Sequence, residues 1–121
     1  MTSKPDKLLT LLKNNPQKVD FQEVMAVIAE NYNYTPVQFS NGIGDDRIIN
    51  HAGENEGSCK IFAFGQLHGL SEHETLACFG QFYRHDVLLH PHATDHLNIR
   101  TFMRHGWSGI QFESPALSPK T

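Results

Sequence analysis

Apolar side chains return at helical spacing in several segments of the chain and gather into short runs between them. Leu8, Leu9, Leu11 and Leu12 follow Ser3, a favoured N-cap, and Pro5, a residue suited to a first turn; the stripe stops at Asn14-Asn15-Pro16. Phe21, Val24, Met25, Ile28 and Tyr32 form a second stripe behind Asp20, with Glu23 at the capping-box position. Each pattern predicts a helix.

Segments 34–39 and 47–49 read differently. They flank Asn41-Gly42-Ile43-Gly44-Asp45-Asp46, a turn composition, and predict two short strands. Pro36 confines the first to a strand start or a sheet edge, because proline cannot donate to the ladder. Beyond the polar loop 50–57, Ser58 reads as the N-cap of a helix that starts at Cys59, ends at His68 and is closed by Gly69. Its apolar residues cover most sides, so it belongs at the centre of the fold.

Ser71 and Glu74 have capping-box spacing, and Leu76, Phe79, Gly80, Tyr83 and Val87 predict one helix running on until Pro91 stops it. Gly65 and Gly80 each weaken a helix by about 1 kcal/mol relative to Ala, which close packing would explain. Thr94 or Asp95 is expected to cap a last helix with Ile99, Phe102 and Met103 inside and Arg104, His105 and Gly106 at its end. Segment 107–112 predicts a third strand, with Trp107 closing over the core, and residues 113–121 a frayed tail. The expected fold is α+β and predominantly α: about five helices packed as a single domain over residues 1–121, with a small two- or three-stranded antiparallel sheet.

Composition narrows the function classes. The chain has 121 residues, 39% apolar and 19% charged, enough for one core without disulfides or metal. Cys59 and Cys78 lie in apolar helical patterns and are expected to be reduced thiols. Acidic and basic residues are scattered, so nucleic acid is not an expected partner. No run approaches the roughly 18 apolar residues of a membrane span, and the N-terminus has no apolar signal-peptide region. Eight histidines stand out: protonating all of them would turn the net charge of −3 into +5, around pH 6.5 or so.

Three constellations could carry chemistry. Cys59 in a helix's first turn beside Lys60 suggests a stabilised thiolate, and with His51 or His105 as base it could act as the nucleophile of a hydrolase or transferase. The loop 53–60 departs from the Walker ending but offers a helix N-terminus with Ser58 and Lys60, an anion site that Asp95, His96 and Arg100 could extend on a polar face. His85, His90, His92 and His96 could hold a divalent metal, although no His-Glu-x-x-His pattern is present. Glu72, Glu74 and Asp95 form no evident acid–base pair. No catalytic constellation is complete. The favoured reading is a small binding or regulatory module without cofactor, a monomer or weak dimer, whose partner is a protein or a small anionic ligand.

The blocks Gly57-Ser58-Cys59-Lys60-Ile61-Phe62-Ala63-Phe64, Leu76-Ala77-Cys78-Phe79-Gly80, Asp95-His96-Leu97-Asn98-Ile99-Arg100 and Gly106-Trp107-Ser108-Gly109-Ile110-Gln111-Phe112 stand in order along the chain. Together they resemble the HopJ-type family of type III effectors over residues 19–120. The resemblance implies a bacterial protein, expected in the cytoplasm, with translocation into a host cell implied by the family alone. It transfers no activity and no catalytic residues.

Overall fold

A computed structural model describes the backbone of residues 3–120 and the side chains of residues 5–120. The cap expected of the Ser3 side chain falls outside those described. Helices α1 (Ser3–Asn14) and α2 (Phe21–Asn31) are joined through a 3₁₀ turn at Pro16–Lys18. They bury Leu8, Leu12, Val24, Val27 and Ile28. Asp20 holds the N-cap position of α2 in extended geometry but makes no side-chain cap hydrogen bond, so the capping box expected with Glu23 does not form.

Tyr32, which continues the apolar stripe of α2 in the sequence, instead begins strand β1 (Tyr32–Tyr34). The strand β2 (Phe39–Asn41) follows beyond Pro36, so the single strand expected over 34–39 is divided between two sheets. With β3 (Ile48–Asn50) and β4 (Gln111–Phe112), β2 forms a three-stranded antiparallel sheet in the order β3-β2-β4. Phe39 pairs with Phe112 in its register and stacks on it at 5.3 Å between ring centroids. A 3₁₀ turn, Gly106–Gly109, takes the first half of the segment expected to be the third strand.

Among its described residues, the segment expected to fray is paired with the rest of the fold. β5 (Leu117–Pro119) pairs antiparallel with β1, and the ladder is extended by Thr35 N–H to Ala116 O at 2.8 Å. Ala116 and Leu117 are 3% and 6% exposed, so apolar burial holds the segment in place.

Helix α3 (Glu56–His68) occupies the centre, as expected, and Gly69 closes it in the left-handed conformation. The Phe62 ring on α3 lies within 6.4 Å of the Phe39, Phe79, Phe102 and Trp107 rings. The helix starts before Ser58, however, at an N-cap formed by Asn55. Gly65 packs close, as its place in α3 suggested: an added Cβ would lie 2.9 Å from Thr75 Oγ1 and from the Trp107 ring.

Helix α4 (Glu72–Ala77) has the full capping box, with Glu74 N–H to Ser71 Oγ at 3.0 Å and Ser71 N–H to Glu74 Oε1 at 2.9 Å. It does not continue to Pro91. Gly80 has φ of +59°, which ends the regular turn, and its backbone abuts the start of α2, where a Cβ would be 2.6 Å from Phe21 N. A π-helical segment, Phe82–Val87, follows. Helix α5 (Leu97–His105) is capped by His96, not by Thr94 or Asp95. Among the described residues, no helix is long and apolar enough to cross a membrane.

Candidate functional site

Asn55 and His96 are the non-glycine residues with left-handed backbone among those described, at φ of 49° and 52°. Each caps the N-terminus of a helix without a side-chain cap bond, Asn55 on α3 and His96 on α5. A helix leaves its first N–H groups without intrahelical partners, and a side chain at the cap ordinarily takes one of them. Here both cap side chains point to other work.

The Asn55 side chain donates to Asn50 Oδ1 at 2.7 Å and so joins a buried asparagine network. Asn98 Nδ2 donates to Asn50 Oδ1 at 2.9 Å, while Asn98 Oδ1 accepts from Asn41 Nδ2 and Asn50 Nδ2 at 3.0 and 3.1 Å. Asn41, Asn50 and Asn98 are buried, so the network ties β2 and β3 to the first turns of α3 and α5. Buried polar networks of this kind fix relative position, because any shift leaves amides unpaired in low dielectric. Asn41 Oδ1 is itself buried and, among the described residues, has no hydrogen-bond partner.

His96 is held from outside the helix. Its Nε2 lies 3.0 Å from Asp86 Oδ2 and 3.8 Å from Asp95 Oδ2, and its ring sits 5.3 Å from the Phe82 ring. The π-helical segment places both Asp86 and Phe82. Asp95 in turn is gripped by Arg100, whose hydrogen bond holds the carboxyl below the usual carboxylate range.

Between the two first turns lies a cleft of about 380 Å³. Gly57 and Ser58 line it from α3, and His96, Leu97 and Asn98 from the start of α5. Phe21, Phe79 and Phe82 add aromatic surface, and no lining residue is acidic. Glu56, the acidic residue in the first turn of α3, accepts a hydrogen bond from Tyr34. Two helix N-termini facing one hollow combine donor N–H groups with the positive ends of two macrodipoles, which favours an anion.

The structure brings Ser58 and His96 together in this cleft and assigns the other expected ligand-binding residues elsewhere. Lys60 Nζ sits 4.8 Å above the Tyr34 ring. Arg100 is only 8% exposed and spends its guanidinium on Asp95, His90 and Asp86. The groups of the cysteine-based site are not assembled. Cys59 is the fourth residue of α3, its N–H already bonded to Asn55 O, and burial pushes its thiol up. His51 Nδ1 meets Gln38 Oε1 at 3.1 Å, and His105 Nε2 meets Asp46 Oδ2 at 2.9 Å. His85, His90 and His92 are exposed while His96 turns inward onto Asp86, and among the described residues no group of three or more His, Cys, Asp or Glu is arranged to hold a metal. Glu72 accepts from Trp107 N–H at 3.2 Å, and Glu74 serves the cap of α4. Trp107 packs on Phe102 at 5.1 Å, as expected of a core residue, with Nε1 bonded to Leu70 O.

Sequence reasoning missed the asparagines. Asn41 and Asn50 read as turn and loop residues, and Asn98 stood only within the block Asp95-His96-Leu97-Asn98-Ile99-Arg100 that carries the family resemblance. The available signal was Asn50 directly after Ile48-Ile49 and Asn98 between Leu97 and Ile99, polar groups at the borders of apolar runs.

A family model described as HopJ type III effector protein matches residues 5–117. The crystal structure of an unknown function protein, VPA0580, is similar, with 55% sequence identity and a TM-score of 0.90; the match covers 95% of this chain and 92% of that one. No curated protein matches.

Proposed function

The chain belongs to the HopJ type III effector family, and from that footing we propose that it is a small binding module whose ligand is an organic anion. The observation that carries this reading is the convergence of the first turns of α3 and α5 on one cleft with no acidic lining residue. The anionic group of the ligand meets the N–H groups around Gly57, Ser58 and Asn98. Its apolar part lies against Phe21, Phe79 and Phe82. Catalysis is not part of the proposal, because Cys59 is buried and its histidine candidates are engaged elsewhere. On the same reading the protein is made in a bacterial cytoplasm, and the family description extends its place of action to a host cell.

Titrating the isotopically labelled chain with phenyl phosphate tests the binding half by NMR. Amide shifts should change first at Gly57, Ser58, Leu97 and Asn98, with phenol and inorganic phosphate weaker. Ser58→Asp puts a carboxylate in the cleft at a position where helices tolerate acids, and it should weaken phenyl phosphate by about tenfold or more. Uniform shifts, or equal binding by Ser58→Asp, would sink the reading. A reporter fused to the full chain checks export: it should reach the host cytosol only from cells with a working type III apparatus.

A further inference from the structure

We propose that the outer face of the sheet β3-β2-β4 carries a binding site of its own, for a small carboxylate that also bears hydroxyl or amide groups, with Arg47 as its anchor. A hollow of about 360 Å³ opens there between Ser40, Gly42 and Arg47 on one side and Ser108, Gly109 and Gln111 on the other. Side chains alternate between the two faces of a strand. Phe39 and Asn41 of β2 therefore turn into the fold, where both are buried, and Ser40 turns to the hollow. It shares no lining residue with the cleft between α3 and α5.

Ser40 stands unpaired in this hollow. It is 5% exposed, and among the described residues its hydroxyl has no hydrogen-bond partner. One row along the same face, the polar side chains satisfy one another: His51 Nδ1 meets Gln38 Oε1 at 3.1 Å, and Gln38 Nε2 donates to Glu113 Oε2 at 3.1 Å. Ile49 and Gln111 stand opposite Ser40 on the neighbouring strands, and neither takes its hydroxyl. A buried hydroxyl left unpaired costs about 1–3 kcal/mol, which a polar group entering the hollow relieves.

Arg47 supplies the charge. It is exposed, it forms no ion pair among the described residues, and no acidic residue lines the hollow. Asp45 and Asp46, in a 3₁₀ turn at Gly44–Asp46, are not among the lining residues, and Asp46 is already held by Arg104 and His105. A guanidinium forks both oxygens of a carboxylate, and a single cation matches a single negative charge. Bare backbone lies beside it. Gly42 N–H bonds to Gly109 O at 3.0 Å, and a Cβ on Gly109 would lie 2.7 Å from Gly42 N, so this contact requires glycine and no side chain fills the space. Ser40, Ser108 and Gln111 offer two hydroxyls and an amide, donors and acceptors together, which suit ligand hydroxyls or amides better than an apolar tail.

Free hydroxy acids and the C-terminal carboxylate of a peptide share this chemistry, and two pairs of probes separate them by NMR on the labelled full chain at neutral pH. Gluconate is compared with sorbitol, and N-acetyl-Gly-Gly with its C-terminal amide. At least one of the two carboxylates should move the amides of Ser40, Gly44, Arg47 and Gln111, and its uncharged counterpart should bind about tenfold or more weakly. Arg47→Gln, at an exposed position, should lose a similar factor, and Ser40→Ala a smaller one. Any response of Gly57 and Ser58 to phenyl phosphate should be the same in both variants as in the parent, so the two sites are tested independently. No response to either carboxylate, equal binding of the uncharged probes, equal binding by Arg47→Gln, or shifts confined to Gly57 and Ser58 overturns the proposal.

Discussion

The Arg100 guanidinium closes on Asp95 twice: Nε lies 2.6 Å from the Asp95 carbonyl oxygen and Nη2 2.8 Å from its carboxylate. Nη1 adds a bond to His90 O at 2.9 Å. One side chain thus clamps the segment that precedes α5 and, through Asp95 and Asp86, the surroundings of His96. An arginine that looked available for an external anion is a fastening of the cleft's own wall.

Arg100→Lys should therefore lower stability by roughly 2–4 kcal/mol, since an ammonium cannot reproduce a fork of buried donors and leaves several acceptors unpaired. Urea unfolding measures this. A variant as stable as the parent would show that the clamp is dispensable.

Neither cysteine should behave as a nucleophile in the folded chain. Burial raises the Cys59 thiol, and burial likewise pushes Cys78 up to about 12. Native protein at neutral pH should resist iodoacetamide at both positions, and both should label after unfolding. Rapid native labelling of Cys59 would revive the cysteine-based reading.

Acidification should weaken the fold through His68 first. Burial holds this imidazole below its usual value, against the pull of Asp6, while it packs on Phe64 at 4.7 Å and pairs with the Tyr32 hydroxyl. The unfolded chain then binds the extra proton, so this stability is present above roughly pH 6.5 and is lost as pH falls through the folded value. The stability advantage of the parent over His68→Gln should shrink between about pH 7.5 and 5.5. Asp46 and Asp95 are also lowered, chiefly by hydrogen bonds from His105 and Arg100. Their contribution is present above about pH 4 and disappears below it, a second step that Asp46→Asn with Asp95→Asn should flatten. A His68 NMR titration midpoint at or above 6.5 or so would contradict the first step.

Gly80→Ala should be more damaging than Gly65→Ala. At Gly80 the new methyl meets backbone, Phe21 N at 2.6 Å, in a left-handed conformation; at Gly65 it meets the side chains of Thr75 and Trp107 at 2.9 Å. Backbone strain of this sort is worth about 1–3 kcal/mol before the clash is counted. Thermal unfolding of both variants gives the order, and equal losses would refute it.

Removing residues 116–121 should destabilise the chain by roughly 2–4 kcal/mol, because Ala116 and Leu117 leave the core and β1 loses its partner. Unchanged urea midpoints would mean that the β1–β5 ladder adds nothing.

Much of the fold was legible because its signals are local. The stripe of α1, the all-round apolar character of α3, and the Ser71–Glu74 box are set by spacing within one or two turns, and the structure holds all three. The sheet segments around Phe39, Ile48 and Phe112 also carried their own turn and strand composition. Of the residues that line the cleft, the sequence pointed to Ser58, as part of a helix N-terminus able to take an anion, and to His96, on a polar face that could extend it.

What the sequence determined by itself, then, is the α+β class, the central helix and the type III effector family. What tertiary structure alone decided is which polar groups meet. Asn41, Asn50 and Asn98 come from three separate segments, and Arg84 reaches Pro16 and Val19 carbonyls far back along the chain. Their pairing has no local signature, and the left-handed caps at Asn55 and His96 have only a weak one, the readiness of asparagine and histidine to adopt that conformation. The reason is energetic: a polar group buried by its neighbours must find a partner wherever the packed chain supplies one, and backbone geometry yields to that demand.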